Sequence, residues 1–510
     1  MNILFHLVLS ISFYLIAILI EKLIGPHLEK DEPPLLNHKI PLIGHVLGLI
    51  YYGPNYYTSV AEKDRPPMFT LGIFGTRSYV VNTSQIIASI QKNARTLSFA
   101  PLIPYVAERI AGLRAELCRT WFVDDGTYTK GMGADHAKLI HHTLYTIDGS
   151  LDVNAAVLAE LKPLMDEIPS WGDKFGIYKW MIHVISQTSF GAVYGPDHPM
   201  NDPQVEKAFW EFENNAGSLL TSAIPWLTAR TAWNGRKKLA AGFLKYYKAG
   251  NKQASNFVSM RRKLFEEHGF RVEDIAQFEA GMSTPILSNT APALFWLIRE
   301  IYSRKPLLED IRKEIQGIIT TSVDENKEPQ HTLEVAKLKK ECPLLIAAYH
   351  EILRLNGIGT SARRVLQDTM LDNRYLVKKD TLVLMPFSPV HQETKAWGAN
   401  AKEFDITRHL DKENRRPAVT FRSFGGAPHL CPGRQIATLE ILCIAAMLIA
   451  RYDVEPTLGY WTNPKLTYTM SGIATPSHDF DVSMKPLPGT AGNWNYRMGD
   501  VKLKFPLASN

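Results

Sequence analysis

The feature that most restricts the fold is a cysteine in a tight loop directly before a long apolar segment. Cys431 lies in FRSFGGAPHLCPGRQIATLE, Phe421 to Glu440, where glycine and proline favour a turn. The run IATLEILCIAAMLIA predicts a helix from Arg434 to Arg451 whose N-terminus points back at the sulfur. The partial positive charge and free N–H groups at a helix start lower a thiol pKa and stabilise a thiolate. The pattern therefore predicts an axial thiolate ligand for haem iron, and the alternative is an ordinary buried cysteine.

The remaining composition excludes several other classes of protein. Cys118, Cys342 and Cys443 show no spacing typical of a zinc site, and so large a chain does not need a disulfide framework. These three are expected to be buried, reduced thiols. A net charge of +6 over 510 residues is too weak to indicate a nucleic-acid partner. No glycine-rich nucleotide-binding motif occurs between a predicted strand and a predicted helix.

The apolar N-terminus predicts a membrane anchor. Residues 3–20, ILFHLVLSISFYLIAILI, carry no Lys, Arg, Asp or Glu and are just long enough to cross a bilayer. Lys22, Lys30 and Lys39 follow the run, so the rest of the chain is expected to face the cytoplasm. A cleaved signal peptide is the alternative, but no basic residue precedes the run and no small-residue cleavage site follows it. Residues 21–45 contain Pro33, Pro34 and Pro41 and predict a stiff linker.

The body of the chain, residues 46–510, is expected to form one domain that is mostly α-helical with a smaller β-rich portion. MFTLGIFGTRSYVVN predicts a short β-hairpin, because two strand-like runs flank turn residues. Helical periodicity dominates from about residue 84 to residue 340. Strand patterns return between Arg363 and Pro389, before the helix that follows Cys431.

A proline marks the centre of another long helix, predicted over Glu279 to Arg304. Pro292 has no N–H, so the carbonyl of Ser288 loses its partner and the helix is expected to kink beside Asn289 and Thr290. An opened groove of this kind could hold oxygen and water, with Thr290 donating a hydrogen bond and Asn289 positioning a water. The alternative is a kinked core helix with a threonine bonded to its own backbone.

The loop FGGAPHLCPG, Phe424 to Gly433, resembles the haem-binding loop of the cytochrome P450 family. The resemblance implies a haem b cofactor with Cys431 as the iron ligand, Phe424 packed against it and Gly433 closing the loop. His429 stands where the family usually has an arginine that binds a haem propionate. One departure is Ala427, which replaces a family glycine.

Three further motifs occur in the family's order. The sequence AYHEILRLNG places Glu351 and Arg354 on one helix face, and EFDITRHL supplies Arg408. The resemblance implies that these three form a buried structural network. SARRVLQD resembles the segment that carries a propionate-binding arginine, for which Arg363 is the first choice and Arg364 the alternative.

The central helix is similar to one branch of the family in particular. Its N-T-x-P-A-x-F-W pattern resembles sterol 7α-hydroxylases, sterol 12α-hydroxylase and prostacyclin synthase, while the cysteine loop resembles that of many fungal secondary-metabolism members. The resemblance to the family implies the cytochrome P450 fold. Together with the predicted anchor, it implies a monooxygenase at the endoplasmic reticulum membrane that oxidises a lipophilic sterol, terpenoid or secondary-metabolite intermediate. NADPH would supply electrons through a membrane reductase, with cytochrome b5 as a further donor. The expected docking residues near the cysteine are Lys412, Arg415, Arg416, Arg422 and Arg434.

Two rival functions remain at this point. The first is an isomerase or dehydratase on the same scaffold, acting on a peroxide without external electrons. The departure of the central helix from the common family pattern keeps this rival open, since prostacyclin synthase works in this way. The second is a non-catalytic haem-binding or lipid-binding membrane protein, against which the pair Asn289 and Thr290 argues.

Overall fold

The fold was analysed in a computed structural model, which describes the chain except residues 1, 39, 54–55, 62–65, 74–75, 122–129, 252, 411–415, 468–469, 500–503 and 506–510. Lys39, Lys412 and Arg415 therefore lie outside the described residues. The chain divides into two compact units, each built from several segments. Unit 1 comprises residues 1–102, 358–401 and 419–429, and unit 2 comprises residues 103–357, 402–418 and 430–510.

Helices make up most of the described chain, as expected from the sequence. In chain order they are α1 Asn2–Ile24, α2 Gly44–Tyr52, α3 Tyr56–Ala61, α4 Ser84–Lys92, α5 Leu102–Val106, α6 Ala115–Arg119, α7 Met132–Ile140, α8 Ile147–Asp166, α9 Ile177–Tyr194, α10 Pro203–Asn215, α11 Gly217–Thr221, α12 Pro225–Thr228, α13 Arg230–Lys248, α14 Asn256–Glu267, α15 Val272–Leu287, α16 Thr290–Tyr302, α17 Lys305–Gln316, α18 Val335–Glu341, α19 Pro343–Asn356, α20 Phe387–His391, α21 Thr394–Trp397 and α22 Arg434–Arg451.

Strands form the smaller portion. They are β1 Met68–Ile73, β2 Thr76–Val81, β3 Leu97–Ser98, β4 Phe175–Gly176, β5 Ile319–Val323, β6 Pro329–Glu334, β7 Thr360–Val365, β8 Thr369–Leu371, β9 Tyr375–Val377, β10 Leu382–Pro386, β11 Gly425–Gly426, β12 His429–Leu430, β13 Tyr452–Pro456, β14 Leu466–Thr467, β15 Thr475–Pro476, β16 Asp481–Pro486 and β17 Asn493–Arg497. Short 3₁₀ or π turns cover Ala107–Ala111, His141–Tyr145, Ile168–Trp171, Pro199–Asn201, Ile406–His409 and Ala418–Thr420.

Unit 1 is built on a five-stranded sheet with the order β1-β2-β10-β7-β3. The predicted hairpin is confirmed, because β1 and β2 pair antiparallel with Met68 opposite Val81. The strands predicted between Arg363 and Pro389 are β7 to β10, and β7 pairs antiparallel with β10. Helix α4 packs its buried isoleucines, Ile86, Ile87 and Ile90, into the same apolar core as the sheet. Their spacing places all three on one helix face.

The proline-rich segment is tied to this sheet through one buried acid. Glu32 accepts hydrogen bonds from Arg77 at 2.6 Å and from the Tyr79 hydroxyl at 2.5 Å. Two backbone hydrogen bonds join the segment to β1, from Thr70 N to Pro34 O and from Leu36 N to Thr70 O. Most of residues 25–43 is irregular backbone, as the prolines require.

The predicted transmembrane anchor over residues 3–20 is not supported. The segment is helical within α1. Within the part of the chain that the structure describes, however, no helix combines the length and apolar character that a bilayer crossing demands.

Unit 2 is mainly helical and contains the helix that follows Cys431. Helix α22 begins at Arg434 and ends at Arg451, as predicted, and its residues from Thr438 to Ala450 are all buried. A helix that is apolar on nearly every face, as this one is apart from Thr438 and Glu440, is stable only when other elements cover it on all sides. Helix α16 is similar, since all its residues except Arg299 are buried. Two three-stranded sheets, β13-β16-β4 and β17-β6-β5, also belong to this unit.

The long central helix is interrupted where the proline predicts a kink. Helix α15 ends at Leu287 and α16 begins at Thr290, so Ser288 and Asn289 form the break. Pro292 lies in the first turn of α16, where a missing N–H is tolerated. The predicted distortion at Ser288 is therefore confirmed, and it separates two helices.

Candidate active site

Cys431 lies immediately before α22 and is the only one of the four cysteines with an exposed side chain. The backbone N–H groups of Gly433 and Arg434 hydrogen-bond to its sulfur. Arg434 also donates from Nη1 to the Cys431 carbonyl at 3.0 Å. The start of α22 thus supplies the donors expected for a thiolate, and Gly433 is the residue that caps the helix.

The predicted lowering of the Cys431 pKa is wrong for the thiol as it stands in this structure. Although Cys431 as a residue is exposed, the protein atoms packed around its sulfur displace part of its hydration. This desolvation raises the pKa of Cys431 and outweighs the Gly433 and Arg434 amides and the Arg434 charge. Bonding to a metal cation stabilises the thiolate independently of this balance. Cys118, Cys342 and Cys443 are buried, as expected from the sequence.

In unit 1 the structure brings together Arg363 and His429 around one aromatic ring. The Arg363 guanidinium lies 5.7 Å from the centre of the Phe99 ring, and the His429 ring lies 6.0 Å from it. Burial, with a contribution from the Arg363 charge, lowers the pKa of His429 to about 4. The two residues named as propionate ligands are therefore neighbours, and Phe99 is a neighbour that sequence reasoning missed.

Arg363 and Arg364 point to opposite faces of their sheet. Successive residues of a strand point to opposite faces of the sheet. Arg363 is buried in β7, whereas Arg364 is partly exposed and pairs with Asp380 at 3.1 Å. Arg364 already pairs with a carboxylate on the surface. Arg363 is therefore the better candidate for binding a haem propionate.

Arg422 is a further buried cation of unit 1 that sequence reasoning did not assign to this role. Its side chain is 1% exposed, and its Nε has no hydrogen-bond partner among the described residues. Burial, together with the Arg363 charge, lowers the pKa of Arg422 to about 10. A Cβ on Gly426 would lie 1.8 Å from Arg422 Nη1, so only glycine at 426 leaves room for this side chain.

Burial also corrects the predicted docking surface. Arg422 and Arg434 are both buried and cannot meet a reductase at the protein surface. The Arg434 guanidinium lies 4.2 Å from the centre of the Tyr145 ring. Arg416 is partly buried and donates to the Arg408 carbonyl at 2.5 Å. Sequence proximity to Cys431 was a poor guide because it carries no information on burial.

The Glu351, Arg354 and Arg408 side chains meet in unit 2. Arg354 donates two hydrogen bonds to the Glu351 carboxylate, at 2.8 and 2.7 Å, and both side chains are fully buried. Arg408 Nε lies 3.3 Å from Glu351 Oε1. His409, which sequence reasoning missed, lies 2.9 Å from the other carboxylate oxygen. Burial alone would raise the pKa of Glu351, but the Arg354 and His409 contacts outweigh it and hold the pKa below its usual value.

Asn289 and Thr290, the predicted oxygen-helix pair, occupy different environments. Asn289 Oδ1 accepts hydrogen bonds from the amides of Gly472 at 2.7 Å and Ile473 at 3.1 Å. These two bonds fix the orientation of the Asn289 side-chain amide. Its Nδ2 group is the hydrogen-bond donor and lies 3.5 Å from Ser288 Oγ. Thr290 is 4% exposed at the start of α16. Asn289 is therefore the more accessible of the two.

Each of these groups, taken by itself, suits one part of a haem. An exposed cysteine at a helix start suits the iron, and the buried Arg422 guanidinium, with its unpartnered Nε, suits a carboxylate. Phe424 is partly buried and Gly425 has φ of 78°, which only glycine adopts without strain. Taken residue by residue, the donor set defines a haem-thiolate protein.

Comparison with known proteins agrees with this class. The cytochrome P450 family model matches residues 33–484. The chain is 32% identical to the cytochrome P450 monooxygenase nodJ of Hypoxylon pulicicidum, over 94% of this chain and 95% of that protein. It is 26% identical to a cytochrome P450 monooxygenase of Gibberella zeae, over 89% of this chain and 87% of the relative. It is 20% identical to cytochrome P450 7A1 of Rattus norvegicus, over 90% of this chain and 94% of that protein.

The chain belongs to the cytochrome P450 family. It is a cytochrome P450 monooxygenase that uses haem b, with electrons that originate from NADPH and arrive through a reductase. The family predicted from the cysteine loop is confirmed, and relatives of both kinds suggested by the sequence, from fungi and from mammals, are among the matches.

Proposed function

We propose that this protein oxidises a lipophilic sterol, terpenoid or other secondary-metabolite intermediate. One oxygen atom enters the substrate and the other leaves as water, with two electrons and two protons consumed. The observation that carries this proposal is the exposed Cys431 thiol, held by the first amides of α22 in a chain whose relatives are named monooxygenases. The electron donor would be an NADPH–cytochrome reductase, with cytochrome b5 as a further donor.

The deciding experiment uses isotopically heavy dioxygen. Membranes that contain the protein and a reductase are incubated with NADPH and extracts rich in sterols and terpenoids, and products are followed by mass spectrometry. A product that carries one heavy oxygen atom supports the proposal. A product isomeric with its precursor, formed equally without NADPH, would indicate the isomerase. No change in any component would favour the non-catalytic alternative.

The haem, when bound, would supply the electron transfer and oxygen chemistry, and the protein residues would hold it and direct protons. Cys431 would ligate the iron, with Phe424 packed beside it and Gly433 shaping the loop. Arg363 and His429 would bind propionates, as the family resemblance implies. Arg422 is added to this set, because a buried guanidinium with an unpartnered N–H is well suited to a carboxylate. Glu351, Arg354 and Arg408 would act structurally.

Replacing Arg422 with methionine is expected to speed haem loss about tenfold, since a charge-assisted hydrogen bond contributes roughly 1.5–3 kcal/mol. Transfer of haem to a scavenging apoprotein measures the rate. Arg374→Met is the matched control, because Arg374 is an exposed arginine of the same unit, stacked on Tyr375. Equal rates of haem loss in the two variants would exclude Arg422 from haem binding.

Asn289 and Thr290 would guide protons toward oxygen. Asn289→Ala is expected to raise the hydrogen peroxide formed per NADPH several-fold, because the Nδ2 donor is lost. Thr290→Ala is expected to do the same, because the hydroxyl that would donate to bound oxygen is lost. Ser471→Ala is the control. Ser471 lies in the loop whose amides bind Asn289, and it donates to the Ile473 carbonyl at 2.7 Å. This substitution changes the loop but retains the Asn289 side chain. Unchanged coupling in both Asn289 and Thr290 variants would contradict the role.

Placement at the cytoplasmic face of the endoplasmic reticulum remains a prediction from the sequence. Cell fractionation tests it. Recovery of the protein in the microsomal fraction, with no release by a salt wash, supports a membrane location. Recovery in the soluble fraction of the cell lysate, without any salt wash, contradicts it.

A further inference from the structure

Unit 1 contains a cavity of about 450 Å³ that none of the residues assigned to haem or oxygen chemistry lines. Its volume is within the roughly 300–1,000 Å³ typical of small-molecule sites. Its walls come mainly from α1 and from the proline-rich segment that follows α1. They combine charged and polar side chains, such as Glu21, Lys22 and His38, with apolar ones, such as Ile18 and Leu35. This mixture suits an amphiphilic ligand.

One face of α1 forms the first wall. Tyr14, Ile18 and Lys22 all line the cavity, and their spacing of four residues places them on a single helix face. Three leucines with the same spacing lie on the adjacent face and are more than half exposed: Leu15, Leu19 and Leu23. An apolar chain that leaves the cavity along α1 can therefore cover these leucines and remove them from water.

The second wall is a cluster of rings for which two glycines of α2 leave room. The His38 and His45 rings lie 5.4 Å apart, and the Tyr56 ring lies 6.0 Å from His45. A Cβ at Gly44 would lie 1.8 Å from His38 Nδ1, and a Cβ at Gly48 would lie 2.0 Å from a carbon of the Tyr56 ring. Glycine inside a helix is roughly 1 kcal/mol less favourable than alanine. Helix α2 therefore accommodates the rings at the cost of some intrinsic helix stability.

Hydrogen bonds assign different roles to the two histidines. His45 is buried with both ring nitrogens occupied, Nε2 by the Leu36 carbonyl at 2.8 Å and Nδ1 by the Tyr56 hydroxyl at 2.7 Å. It supports the wall and has no nitrogen left for a ligand. His38 Nδ1 accepts from the amide of Ile40 at 3.0 Å, so the proton of the neutral ring is on Nε2. His38 can therefore donate a hydrogen bond to a ligand.

Two opposite charges line the same cavity. The Glu21 carboxylate is held in place because its Oε1 accepts from the amide of Leu42 at 3.1 Å. The Lys22 ammonium group is the next residue along α1. A ligand with a single negative charge would be attracted by Lys22 but repelled by Glu21. A ligand that carries both charges a few bonds apart can satisfy both side chains.

We propose that this cavity binds the headgroup of a zwitterionic phospholipid. The phosphate accepts from Lys22 and from His38 Nε2, and the cationic nitrogen of the headgroup lies against Glu21. The acyl chains leave along the exposed leucines of α1. Inorganic phosphate is a poorer occupant, because it has no cation for Glu21 and leaves the apolar lining uncovered. This lipid site is separate from the proposed oxidation and does not depend on it.

The test measures lipid binding to the full-length, haem-loaded protein and needs no turnover. Four probes are titrated by calorimetry, below the concentration at which the lipids form micelles: dihexanoylphosphatidylcholine, dihexanoylphosphatidylglycerol, glycerophosphocholine and inorganic phosphate. Dihexanoylphosphatidylcholine is expected to bind about tenfold more tightly than each of the other three, because only this probe has both headgroup charges and the acyl chains. Equal binding of the two lipids, binding of inorganic phosphate as tight as that of the lipid, or no binding of any probe overturns the proposal.

Two substitutions separate the charges. Glu21→Gln keeps an acceptor for the Leu42 amide but removes the negative charge, so the preference for phosphatidylcholine over phosphatidylglycerol is expected to fall toward one. Lys22→Met is expected to weaken both lipids about tenfold, because a charge-assisted hydrogen bond to phosphate is lost. Lys30→Met is the matched control, since Lys30 is an exposed lysine of the same segment that does not line the cavity.

The spectrum of the reduced carbon monoxide complex shows separately that each variant is folded and haem-thiolate ligated. A Glu21→Gln protein that keeps the full preference for phosphatidylcholine, or Lys22→Met and Lys30→Met proteins that bind it equally well, contradicts the assignment of these groups to the headgroup.

Discussion

Replacing Cys431 with alanine is expected to abolish NADPH-dependent oxidation, with product falling to the background level. The exposed Cys431 thiol is the only cysteine sulfur positioned to ligate a metal, because the other three cysteines are buried. Without a thiolate, the electron donation that favours cleavage of the oxygen–oxygen bond is lost. Optical spectra of the reduced carbon monoxide complex should show loss of the thiolate signature, and assays with an added reductase should show no product.

Cys443→Ala is the control for this substitution. Cys443 lies on the same helix, α22, but it is fully buried in the apolar core. This variant should keep the thiolate spectrum and the activity, at a cost to stability of about 1 kcal/mol from the small cavity. A Cys431→Ala protein with full activity would end the interpretation of this chain as a haem-thiolate enzyme.

Replacing Glu351 with alanine is expected to lower the free energy of unfolding by about 3–5 kcal/mol. Glu351 and Arg354 are completely buried, and Glu351 also contacts Arg408 and His409. Removal of the acid would leave the Arg354 charge in the interior without its partner, which is far more costly than the loss of a surface ion pair. Denaturant unfolding followed by circular dichroism measures the change, and haem content reports whether the fold still retains its cofactor.

Glu266→Ala provides the comparison for the Glu351 variant. Glu266 pairs with Arg262 at 2.8 Å on the surface of α14, with half of the acid side chain exposed. Its removal should change the unfolding free energy by about 0.5 kcal/mol or less. Similar destabilisation by the two substitutions would show that the Glu351 cluster is not a structural network.

Sequence patterns predicted the local elements well. The β-hairpin over β1 and β2 and the helix from Arg434 to Arg451 were predicted from patterns that depend on a few neighbouring residues. The break at Ser288 was predicted because Pro292 removes one specific hydrogen bond. The meeting of Glu351 with Arg408 was predicted from family resemblance alone, since the residues are far apart in the chain.

Burial was the main source of error. Arg422 and Arg434 were predicted at a docking surface, yet both are interior side chains. The Cys431 pKa was predicted from the helix start, but loss of water around the sulfur outweighs that effect. The transmembrane prediction relied on composition, and among the described residues no helix meets the requirement.

The sequence by itself determined the family and most local helices and strands, and it singled out Cys431 as the proposed iron ligand, because each depends on residues close together in the chain. Only the tertiary structure decided that His409 joins Glu351 and that Arg363 is buried while Arg364 is on the surface. These relations depend on which distant segments pack together and exclude water, and that long-range packing has no local pattern in the sequence.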